Sequence, residues 1–155
     1  MGLALPGNAF AQQPNWQLRC ADEADASTCN MNQELFLQRT VDGEQQTVGR
    51  LLNVTVVYLD VDGERLPFMS LQMPKGVDLR PGAVMRVDEG PELALEYLRC
   101  TNDGCDASTR LTPDLLGQLR AGNTMQVGFR PWGSEQVTVL PVSLIGFTAA
   151  FLQLR

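Results

Sequence analysis

The side chains of this 155-residue chain best suited to chemistry are four cysteines and a scatter of carboxylates. Cys20 and Cys29 have eight residues between them, and Cys100 and Cys105 have four. Four cysteines allow three pairings. Local pairing, Cys20–Cys29 and Cys100–Cys105, needs the least topological assumption, and loops this short stabilise a fold by about 2–3 kcal/mol each. Zinc is the competing reading, but zinc knuckles typically have about two to four residues between thiolates, a spacing the first pair misses. Thiol–disulfide catalysis is a third reading. It places a low-pKa cysteine at a helix N-terminus, usually as Cys-x-x-Cys. Here the turn formers Thr101-Asn102-Asp103-Gly104 separate the pair, with strand-like sequence on both sides. Structural bridges are expected, and with them an oxidising compartment.

The chain has no histidine. That removes the usual general base near neutral pH, imidazole metal ligands, and Ser-His-Asp or Cys-His arrangements. Carboxylate chemistry is still open. Asp60, Asp62, Glu64, Asp88 and Glu89 could supply a pair for a glycoside hydrolase, which needs two carboxyls about 5–10 Å apart across a cleft. Most of them fall at predicted turns, where acids face solvent. Asp60-Val61-Asp62-Gly63-Glu64 also resembles the start of a calcium loop, yet Asp-Gly between two apolar runs is a hairpin signal, and the hairpin is favoured. The chain is expected to be non-catalytic, with no metal and no cofactor.

Eighteen acidic and twelve basic residues give a net charge of -6, and the arginines are scattered. A nucleic-acid partner needs a concentrated basic face, and so does electrostatic binding to an anionic membrane; neither partner is expected. No segment reaches the roughly 18 unbroken apolar residues of a membrane span. Ala9-Phe10-Ala11 has the small-x-small form of a signal-peptidase site. Residues 1–11 are therefore read as a signal-peptide remnant or disordered tail, with cleavage near Ala11 and one domain over 12–155.

Strands must position these groups. Trp16–Cys20 alternates apolar and polar residues, and a second strand runs from Cys29 to a turn at Asp42-Gly43. Arg50–Asp60 reads as a central strand covered on both faces. Leu66–Met73 follows, with Pro67 suggesting an edge position or a strand start. Residues 74–82 are a loop. Ala83–Asp88, Leu93–Leu98 and Ser108–Leu111 continue the pattern, as do Thr124–Pro131 and Gln136–Leu140. Thr112 as N-cap, Pro113 and Asp114 in the first turn and Gly122 beyond the last predict a helix near 113–121. Ser143 is read as the cap of a second helix near 143–153. The fold class is all-β: an antiparallel β-sandwich of about ten strands with two short helices.

Five motifs now stand in order: Trp16-x3-Cys20; Cys29 followed by Met31-Asn32-Gln33; Met73-Pro74-Lys75-Gly76-Val77-Asp78-Leu79; Cys100-x3-Gly104-Cys105; and Val142-Ser143-Leu144-Ile145-Gly146-Phe147. Together they resemble the invasion-associated locus B family over Trp16 to Leu154. The resemblance implies a β-rich, exported protein of the periplasm or envelope of Gram-negative bacteria, with no catalytic residues to carry over. Family members in some intracellular pathogens are linked to host-cell invasion, which makes host-cell interaction one expectation. The partner would be a protein or another envelope component. Loops at the sheet ends would carry the binding surface, with Arg130, Trp132 and the tip residues Asn102 and Asp103 as candidates.

Overall fold

The structure, a computed structural model, describes residues 9–12 and 16–154. Eleven strands form two antiparallel sheets. The large sheet holds β1 (Ala9–Gln12), β2 (Gln17–Cys20), β3 (Cys29–Val41), β4 (Glu44–Val61) and β5 (Glu64–Met73), then β8 (Tyr97–Thr101) and β9 (Gly104–Arg110). Its order is β1-β3-β4-β5-β9-β8, with β2 also pairing with β3. The small sheet runs β11-β10-β6-β7, built from β6 (Ala83–Val87), β7 (Leu93–Leu95), β10 (Thr124–Phe129) and β11 (Thr138–Ser143). This is the expected β-sandwich. Asp42-Gly43 and Asp62-Gly63 both have positive φ, and each forms the two-residue turn of a hairpin.

One apolar core lies between the sheets. Leu52, Val54 and Val56 of β4 face Met69 and Leu71 of β5 on that side, and Met85, Met125, Val127 and Leu140 enter from the small sheet. β4 is therefore covered on one face, not two; its other side carries the half-buried Leu51, Asn53, Thr55 and Val57. That outer face is spanned by a polar ladder: Glu34 accepts from Arg50 at 3.1 Å, Arg50 also bonds Gln72, and Asp106 accepts from Gln72 and from Arg99, each at 3.1 Å.

Three further expectations change. Pro67 lies inside β5, a central strand, because its missing N–H falls on the side where β9 has already ended and only the Leu111 N–H reaches its carbonyl, at 2.8 Å. The run Leu93–Leu98 is two strands in different sheets, with Glu96 between them. The last helix is also shorter than 143–153: α2 spans Phe147–Phe151 only. Ser143 is still in β11, paired with Thr124, and Gly146 caps the helix at φ 83, a left-handed conformation that a continuous helix does not contain. The other helix, α1 (Pro113–Ala121), has the expected bounds, with the Thr112 hydroxyl accepting from the Leu115 N–H.

Both ends of the described domain meet at one aromatic stack. Trp16 donates its indole N–H to the Ser143 carbonyl at 3.0 Å and meets Phe147 edge-on, and Phe147 stacks on Phe151. Residues 1–8 of the expected leader or tail lie outside the described residues. Ala9–Gln12, at its end, pair with Leu35–Gln38 where β3 runs on past β2.

Candidate functional site

Two loops, one from each sheet, are laced together. The loop after β5 gives Gly76, Val77 and Asp78; the loop after β10 gives Arg130, Pro131 and Trp132. The Asp78 N–H donates to the Arg130 carbonyl at 2.8 Å, and the Trp132 N–H to the Gly76 carbonyl at 2.7 Å, either side of a Val77–Pro131 bridge. Backbone hydrogen bonds thus fix loops that sequence alone leaves irregular.

This lacing buries the Asp78 carboxylate, whose side chain is 3% exposed. A buried carboxylate must be paired or it loses its charge. Arg80 supplies its Nε at 2.9 Å, a second guanidinium nitrogen at 2.8 Å and its backbone N–H at 3.2 Å. Arg130 adds a further bond at 2.6 Å. Hydrogen bonds from Arg80, then from Arg130, hold the Asp78 carboxyl well below the usual carboxylate range, and Asp78 in turn raises Arg80. An acid so committed is a structural anchor and a poor proton acceptor.

The anchor positions an aromatic ring. The Arg80 guanidinium lies over the Trp132 indole at 5.3 Å from its centroid, while Trp132 remains 69% exposed. Leu79, beside Arg80 in sequence, is also exposed. Two guanidinium groups on one carboxylate leave this corner one positive charge in excess on a chain of net charge -6. The geometry presents an exposed indole with a guanidinium, itself bonded to the buried Asp78 carboxylate, over its ring. Tryptophan and arginine dominate energetic hot spots in protein interfaces.

Of the candidates read from sequence, Arg130 and Trp132 come together here. Asn102 and Asp103 form the β8–β9 turn of the large sheet, outside the laced loops. Asp78 and Arg80 were missed. Their signal was an acid and an arginine two residues apart between turn formers, which reads as ordinary loop until Arg130 is seen to converge on it.

The other chemistries take definite places. Cys20–Cys29 and Cys100–Cys105 are disulfides joining residues directly opposite on paired strands, so no thiolate is left for zinc. Cys100 stands in a strand, not at a helix start. Asp60 pairs with Arg65 at the β4–β5 hairpin, and Asp62 makes its turn. Asp88 lies at the β6–β7 connection, where it accepts from the Asn123 and Thr124 N–H groups. Among the described residues, no three His, Cys, Asp or Glu side chains converge as a metal site, and no helix is long and apolar enough to cross a membrane.

Fold and site define a disulfide-stapled, two-sheet β protein that holds a rigid aromatic platform on laced loops. The chain belongs to the Invasion associated locus B (IalB) family, whose model matches residues 16–155. It is 29% identical over 150 residues to an invasion protein B homolog of Brucella abortus (strain 2308), covering 95% of this chain and 81% of that protein. The homolog from Brucella abortus biovar 1 (strain 9-941) matches to the same extent. The fold is that of the crystal structure of invasion associated protein b from Bartonella henselae, with a TM-score of 0.65, 21% identity, and coverage of 92% of this chain and 94% of that one.

Proposed function

We propose that this chain is an exported, non-catalytic interaction protein of the periplasm or cell envelope, released by cleavage near Ala11 as a single domain over 12–155. The Trp132–Arg80 platform is its contact point. The observation that carries this reading is the exposed indole held in place by a buried carboxylate and two arginines. A large aromatic left in water costs free energy unless a partner covers it, and fixing it beforehand lowers the entropy lost on binding. Two disulfides support an oxidising location. The relatives' names attach invasion to those proteins; here they motivate an envelope or host-surface component as partner.

The test is site-specific photocrosslinking in intact envelopes, with the probe placed at position 132 and, as a control, at the exposed Val48 on the far arm of β4. A discrete crosslinked species is expected at 132 alone, and it should fade when Asp78→Asn loosens the platform. Equal labelling at both positions would refute the assignment.

A further inference from the structure

A groove along one side of α1 has a different character. It occupies about 470 Å³ between α1, α2 and the β4–β5 end of the large sheet. Tyr58, Leu66, Leu111, Leu116 and Phe151 make its floor. Arg110 and Arg120 stand in its walls, and no carboxylate lines it. Neither arginine has an ion pair among the described residues. Arg19, Arg50, Arg65, Arg80, Arg99 and Arg130 all do. Among the described residues Arg39 and Arg86 also lack an ion pair, but Arg110 and Arg120 are the two that stand together in the wall of this apolar trough. Arg120 is held close to the floor, its guanidinium 5.1 Å from the Phe151 centroid, and Phe151 is itself backed by Tyr58 at 5.8 Å and Phe147 at 5.9 Å.

We propose that this groove binds a free, single-chain anionic amphiphile, with the aliphatic chain on the Tyr58–Leu116–Phe151 floor and the anionic head taken by Arg110 and Arg120. The floor supplies non-directional affinity in proportion to the apolar area covered. The arginines supply the charge-assisted hydrogen bonds that select the head. This site stands apart from the Trp132 platform and does not depend on it.

The experiment follows the methyl resonances of Leu111 and Leu116 in the full chain during titration with decanoate, decyl maltoside or decyltrimethylammonium, each below its micelle concentration. Decanoate should shift these methyls saturably at one equivalent, with affinity falling as salt is added. The cationic chain should leave them unmoved, and the maltoside should bind weakly. The double variant Arg110→Gln/Arg120→Gln should weaken decanoate by about tenfold or more while its spectrum stays dispersed, the loss expected for charge-assisted bonds. Should that variant fail to fold, the salt dependence and head-group order of the unmodified chain decide alone. Equal affinity for decanoate and maltoside would overturn the proposal. So would decanoate shifts confined to other residues, or binding to phosphatidylglycerol vesicles without any response to free decanoate.

Discussion

Truncating Phe147 tests whether the two ends of the domain are joined through α2. Phe147 is fully buried, meets Trp16 edge-on at 5.3 Å and stacks on Phe151 at 5.9 Å. A buried Phe→Ala change costs about 3–5 kcal/mol through lost transfer and an unfilled cavity. With Phe151 stacked on its ring, Trp16 edge-on and the side chain fully buried, Phe147→Ala should fall at about 4 kcal/mol, a large share of the ~5–15 kcal/mol that holds a domain together. For a chain of this size that lowers Tm by about 8–16 °C. Two tryptophans simplify the assay: Trp16 is buried and Trp132 exposed, so a Trp132→Phe background leaves Trp16 as the sole reporter of urea unfolding. Phe147→Leu, which keeps most of the volume, should cost only about 1–2 kcal/mol. A loss below about 1 kcal/mol for Phe147→Ala, or equal losses for the two variants, would show that α2 is not docked on Trp16.

Three other perturbations follow from the same structure. Because the folded Asp78 carboxyl titrates below its unfolded value, its stabilising contribution is complete above the ordinary carboxylate range of about pH 4 and drains away as pH falls toward the folded value. Asp78→Asn should therefore flatten the acid limb of the stability–pH curve, and an unchanged limb would contradict the pairing. Gly104→Ala would force a residue with a Cβ to φ 150 and drive that atom into the Met73 carbonyl oxygen, costing at least about 1–3 kcal/mol in chemical denaturation, whereas Gly63→Ala has open space and should cost less. Burial pushes the Tyr97 phenol up to about 12, so an ultraviolet titration should lose a step in that range in Tyr97→Phe.

What could be read from sequence was whatever is encoded locally. The Asp-Gly turns, the Thr112-Pro113-Asp114 helix start and the strand that leaves Cys29 each declare themselves within a few residues, and the structure follows them. The short cysteine loops belong with these, since residues directly opposite across a tight connection need no long-range information. The failures are non-local. One-sided burial of β4 depends on which of its faces the small sheet covers, and the break at Glu96 depends on which sheet each half joins. Pro67 is admitted to a central strand only because β9 stops one residue short. The platform was half visible: an exposed tryptophan near an arginine attracts notice, but the carboxylate that fixes both comes from a loop some fifty residues earlier in the chain, and only the Val77–Pro131 bridge brings it there.

The two disulfides lie at opposite sides of the same sheet, one tying β2 to β3 and the other β8 to β9. Exposed strand edges are templates on which other chains can add. A rim strand bonded covalently to its neighbour cannot peel away when its hydrogen bonds open, so the inner strands are never bared. Reduction frees both rims together. The first symptom of a reduced chain should therefore be self-association, seen as light scattering that grows with protein concentration before the circular dichroism of the core declines. Disulfide formation then works as quality control on solubility as well as a contribution to stability.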